Sequence, residues 1–206
     1  MAAASVPASY APVEAAPAAP PARPRVVMVG TAFAASAIFM FFVGLIGLYL
    51  TLRAGVVADK GTWVPAKVVM PLQQPNVMVL ALLSSSVMIQ WAVDAIRRND
   101  RQQAYLAFGV TLVFGFGVLN MAAYLYSVMK LDLAAPTPFA ALVYTITGAH
   151  LLMLVGSMVF TGLMAFRALG GQYTSRQHDG VSAAALFWHV QTAVFLFIWY
   201  AIYITK

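Results

Sequence analysis

Five apolar stretches, at about 26–52, 77–96, 104–129, 139–166 and 182–204, dominate this chain. Each is near or above the ~20 residues that an α-helix needs to cross a ~30 Å hydrocarbon core. Lipid offers the backbone no hydrogen-bonding partner, so stretches of this length and evenness predict helices rather than strands. The fold class that follows is all-α: a polytopic membrane bundle with five transmembrane helices. Composition agrees, since 62% of residues are hydrophobic and 9% charged, against roughly 45–50% and ~25% in soluble domains.

The separators carry the punctuation of loops. Pro65, Pro71 and Pro75 fall between the first two stretches, Arg97 to Gln103 between the second and third, Lys130 to Pro138 between the third and fourth, and Gly170-Gly171 ahead of the last. Residues 1–25 are rich in Ala and Pro, with Glu14, Arg23 and Arg25 as their charges. They fit neither a secretory signal nor a transit peptide and predict a disordered tail, with draping over a partner subunit as the alternative. Five crossings place the termini on opposite sides. With the tail in the cytoplasm, that side holds Arg23, Arg25, Arg97, Arg98, Arg101, Arg167 and Arg176, and the other holds Arg53, Lys60, Lys67, Lys130 and Lys206. The tight loop around Arg97 favours this choice, because the positive-inside bias is strongest in short loops.

The twelve Lys and Arg are dispersed between apolar stretches, which suits membrane topology and argues against nucleic-acid binding. Without cysteine the chain can hold no disulfide, iron–sulfur cluster, c-type haem or thiolate copper. Metal chemistry would rest on His150, His178, His189 and six carboxylates. Asp94 lies three and four residues before Arg97 and Arg98, the helical spacing of an ion pair. Arg53 and Arg167 are expected to end their helices and snorkel to headgroups, and Arg167 can hold a lipid phosphate by two parallel hydrogen bonds.

His150 and His189 stand on separate helices and are the residues that could serve as axial ligands of a b-type haem. Their depths differ: His150 is expected about 24 Å from the cytoplasmic end of its helix and His189 about 10 Å, at 1.5 Å per residue. A hydrogen bond to a neighbouring helix is the default for each. Trp188, next to His189, belongs to the same interior set. No nucleophile–base arrangement, phosphate-cradling loop or paired carboxylate site is present. Few acids fall within the spans, which disfavours a proton pump in this chain alone. A small transporter would need a substrate, and no residue suggests one.

The stretch Phe166-Arg167-x-Leu169 … Tyr173-Thr174-Ser175-x-x-His178-x-Gly180-x-x-Ala183-Ala184-Ala185-x-Phe187-Trp188-His189 resembles the end of subunit III of cytochrome c oxidase, in the haem-copper oxidase superfamily. Other pieces agree in order and spacing: Met40-Phe41-Phe42-Val43-Gly44-Leu45 with Tyr49 and Arg53; Trp63-Val64-Pro65; Pro75-Asn76-x-x-Val79-Leu80 with Ser84-Ser85; Tyr124; and Thr147-Gly148-Ala149-His150 with Gly156. Five crossings resemble the shorter bacterial form, without the two helices that begin longer members. Most of that family's membrane carboxylates are replaced: Ile38, Ala123, Ser182 and Thr192 stand at acidic positions, Asn120 replaces a glutamine and Met153 a second histidine.

The resemblance implies a non-catalytic membrane subunit of a respiratory terminal oxidase, with no haem or copper of its own. Haem and copper are expected in partner subunits, foremost the catalytic subunit I. The implied partners also include phospholipid, other oxidase subunits and a respiratory supercomplex. Its implied work is to bind lipid, stabilise the catalytic subunit and help oxygen reach it, in the bacterial cytoplasmic membrane. Arg167, His178 and Arg53 are the expected headgroup-binding residues, and His150, Trp188 and His189 the expected polar contacts inside the bundle. The accessory subunit of nitric oxide reductase is the alternative.

Overall fold

The structure is a computed structural model that describes residues 25–131 and 137–205. The expected disordered tail, all but Arg25, lies outside the described residues, as do positions 132–136 and Lys206. Five helices follow one another: α1 (Val26–Lys60), α2 (Gln73–Arg97), α3 (Arg101–Met129), α4 (Pro138–Leu169) and α5 (Asp179–Ile198), the last continued by a π-helical turn over Trp199–Ile204. All five are long and apolar enough to cross a membrane. Among the described residues there is no strand, only an isolated bridge between Thr174 and Gln177.

Helix α5 is the central post. It packs against α1, α2 and α4, while α3 closes the ring against α2 and α4. Burial follows this layout: α1 buries only Ala35, Phe42 and Tyr49, one residue every seven, which is the narrow seam of a helix that touches its neighbours along one edge. By contrast α5 buries Trp188, Gln191, Thr192, Val194, Phe195 and Ile198, residues spread around its circumference.

The ends are set by local chemistry. Asn99 adopts φ 56°, a left-handed conformation that Asn tolerates well, and so turns the chain between α2 and α3. Asp100 then caps α3, its Oδ1 accepting from the Gln103 N–H at 3.1 Å. Thr137 caps α4 through Oγ1 and the Ala140 N–H, with Pro138 in the first helical position.

Several helices outrun the boundaries read from hydropathy. Helix α1 continues past residue 52 to Lys60 and stops at Gly61, whose φ of 74° lets its N–H reach the Val57 carbonyl at 2.9 Å. At about 1.5 Å per residue, its 35 residues make it longer than the bilayer core is thick. Arg53 therefore sits within α1, not at its end. Helix α2 starts at Gln73 and takes Pro75 into its first turn, where a missing N–H costs no intrahelical bond. Apolarity ends where the lipid ends, whereas helical hydrogen bonding runs on until a glycine, a proline or a cap stops it.

Gly115 marks a close approach of α3 to α4 and α5. A Cβ built there would lie 2.9 Å from Met158 Sδ and 3.2 Å from the Trp188 ring, while one at Gly117 would meet nothing within 4 Å. Overpacking a close-packed site costs about 1–3 kcal/mol. Gly115→Val is expected to lower the thermal unfolding midpoint of the detergent-solubilised chain by several degrees and Gly117→Val to leave it within a degree, as read by intrinsic Trp fluorescence.

Candidate functional site

Polar groups concentrate where the α2–α3 turn meets the α4–α5 loop. Asn99 Oδ1 accepts from the Ser175 N–H at 3.0 Å, Tyr105 donates to the Ala168 carbonyl at 3.2 Å, and a Cβ at Gly171 would touch the Arg101 guanidinium at 3.5 Å. His178, just ahead of α5, joins the two hairpins. Its Nε2 accepts from Arg97 Nε at 3.2 Å, and its Nδ1 donates to the Ser175 carbonyl at 3.1 Å. Arg97 also pairs with Asp94 at 3.6 Å, the i,i+3 partner that the sequence offers. Arg25 pairs with Asp179 at 3.8 Å across α1 and α5. These ion pairs are solvent-exposed and each is worth little alone; the backbone contacts at Ser175 and Ala168 supply the register.

Arg167 occupies the last turn of α4 and is exposed. Together with Leu163, Met164, Phe166 and Gln172 it borders an open groove of about 450 Å³. His178 is not among the residues of that groove and is held by Arg97 instead, so the two residues expected to share one headgroup take different partners. Arg53 is half-buried on α1, one turn beyond Tyr49, which packs edge-on against Trp63 at 5.6 Å.

The interior residues tie α5 to its neighbours. Trp188 is fully buried and donates from Nε1 to Ser85 Oγ of α2 at 2.9 Å. His150, 1% exposed, bonds through Nε2 to the Gln191 carbonyl of α5 at 3.1 Å and stacks beside Phe195 at 5.0 Å. His189 is half-exposed and bonds through both ring nitrogens to α2: Nδ1 to Ser86 and Nε2 to Gln90 Oε1, the latter at 3.3 Å. Sequence reasoning did not single out Ser86, Gln90 or Gln191; the i,i+4 spacing of Ser86 and Gln90 opposite an intramembrane histidine is the signal that would have found the first two.

This geometry bears on haem ligation. At 100° per residue, positions 189 and 191 lie on nearly opposite sides of a helix. Since His150 bonds at Gln191, the two imidazoles stand on either side of α5 and cannot share one iron. Both nitrogens of His189 are moreover already engaged. Among the described residues no three His, Cys, Asp or Glu side chains come together.

A family model described as cytochrome c oxidase subunit III matches residues 25–206. The curated cytochrome c oxidase subunit 3 of Tetraodon nigroviridis is 28% identical over 173 residues, 83% of this chain and 66% of that protein. The Homo sapiens protein of the same name is 29% identical over 175 residues, with the same two shares. That of Spodoptera frugiperda is 29% identical over 133 residues, 65% of this chain and 90% of the insect sequence. The chain spans just under two thirds of the length of the fish and human proteins it matches.

The loop contacts have a direct readout. Asn99→Ala removes the acceptor for the Ser175 N–H and a side chain suited to φ 56°. With a net worth of about 1 kcal/mol for such a bond, amide exchange at Ser175 is expected to rise roughly five- to ten-fold by mass spectrometry, while exchange in the core of α5 stays unchanged.

Proposed function

We propose that this chain, which belongs to the cytochrome c oxidase subunit III family, is a non-catalytic, multi-pass membrane subunit of a respiratory terminal oxidase. The observation that carries the reading is the extent of the family match, which runs through all five spans from residue 25 to residue 206. Catalysis belongs to partner subunits, where haem and copper reside. The reading places the chain in a bacterial cytoplasmic membrane, with the Arg97, Arg98, Arg101, Arg167 and Arg176 end on the cytoplasmic side, as the positive-inside rule favours.

In this reading the groove beside Arg167 takes an anionic phospholipid. Leu163, Met164 and Phe166 offer an apolar wall for an acyl chain, and the guanidinium offers paired donors for a phosphate. His178 contributes by holding the α4–α5 loop against α2, and Arg53 serves the opposite membrane surface. A cavity beside His150 measures about 10 Å³, room for about one water-sized sphere. In the same reading the chain helps to shape the route by which dioxygen reaches the catalytic subunit.

Purification in mild detergent tests the assignment: large subunits carrying both haem and copper are expected to co-purify, and haem-containing partners without copper, or none, would overturn it. Within the purified complex, Arg167→Ala is expected to lower the amount of tightly held anionic phospholipid severalfold by native mass spectrometry, with Arg167→Lys intermediate because an ammonium lacks the planar fork.

A further inference from the structure

Two carboxamides stand on outward faces at membrane depth. Asn120 on α3 is exposed and has no side-chain hydrogen bond among the described residues; with its donors and its acceptor both open, it prescribes no partner. Gln90 on α2 is different. Its Oε1 can only accept, so His189 Nε2–H donates to it, and His189 Nδ1 in turn accepts from the Ser86 hydroxyl. The relay fixes the carboxamide and leaves both N–H groups of Gln90 without an acceptor among the described residues.

Those N–H groups lie seven residues before Arg97, about 10 Å along the helix from the charged end of the bundle. An amide without a partner in hydrocarbon is strongly disfavoured, and phospholipid headgroups lie outside the hydrocarbon core. Leu83, Val87 and Gln90 share one face of α2, and Leu83 and Val87 are 42% and 63% exposed. A second copy paired about a two-fold axis at Gln90 would not satisfy the site, because it would set the same donors against each other.

We infer that the Leu83, Val87, Gln90 face of α2 seats a transmembrane helix of a different subunit, one that sets a hydrogen-bond acceptor, a carboxylate, a carboxamide oxygen or a hydroxyl, opposite the Gln90 amide. The inference rests on reading the chain as part of a membrane complex and adds where, and by what chemistry, the contact is made. His189 and Ser86 are positioning residues: they touch Gln90 and orient it.

The test uses the complex in its own membranes. With a benzophenone-bearing amino acid at Val87, irradiation is expected to yield an adduct with a transmembrane peptide of a co-purifying subunit that carries an accepting side chain within one helical turn of the link. Gln90→Met, which removes the donors and keeps the length, is expected to weaken retention of this chain on the complex about three- to thirty-fold in a detergent titration, and Ser86→Ala to weaken it less. Adducts with lipid alone or with a second copy, wild-type retention of Gln90→Met, or an equal loss in Ser86→Ala would overturn the inference and leave the family reading standing. A wild-type chain that co-purifies with no haem-bearing subunit would overturn the family reading, and the inference with it.

Discussion

The hydrogen bond from Trp188 Nε1 to Ser85 Oγ fixes the register on which the bundle depends. In lipid, apolar side chains gain little by leaving hydrocarbon for a protein interior of similar polarity, so helices are held by close packing and by hydrogen bonds between them. Trp188 supplies both. Its ring fills the space opened by Gly115, and its N–H, which would be costly to bury alone, reaches α2. One residue on, His189 meets α2 again at Ser86 and Gln90; from the other side of α5, the Gln191 carbonyl receives His150 of α4. Three residues within a single turn of one helix thus pin two others, and α1 needs only its seven-residue seam of Ala35, Phe42 and Tyr49 to close the remaining side.

The charged end works on different terms. Water and headgroups screen ion pairs such as Arg97–Asp94 and Arg25–Asp179, so they contribute little energy. What holds the α4–α5 loop in place is a set of neutral bonds to backbone groups: Asn99 to the Ser175 N–H, Tyr105 to the Ala168 carbonyl, and His178 to the Ser175 carbonyl. These leave the arginines at 98, 101, 167 and 176 projecting from a fixed frame instead of serving as its struts, which suits them to contacts outside the chain.

Much of this was legible in the sequence. Span length and evenness specify five helices, and the polar separators around Arg97 and Lys130 specify the turns between them. Helix ends were less legible, because hydropathy reports where lipid stops while α1 runs on to a glycine and α2 starts before its proline. Pairing across the bundle was hardest to read. Arg167 and His178 are neighbours in the motif, yet His178 bonds to Arg97, which is 81 positions away and adjacent only because the two hairpins fold together. Likewise nothing local reveals that His150 and His189 face opposite sides of α5; that follows only once Gln191 is known to be the partner of His150.

Exposure carries a different meaning here than in a water-soluble protein. The apolar outer faces of α1, with Phe33 75% and Met40 69% exposed, resemble a docking surface by aqueous standards, but hydrocarbon covers them at no cost, so they imply no partner. A carboxamide on the same kind of face does imply one, since lipid tails offer neither donor nor acceptor. Its information content depends on how many of its groups are already committed. Asn120, with both ends open, accepts almost any polar neighbour. At Gln90 the imidazole of His189 consumes the acceptor, and what remains is a pair of donors at a known depth, which restricts the neighbour to an acceptor. In a membrane bundle, then, the informative surface residue is the polar one whose hydrogen-bonding capacity the chain has only half used.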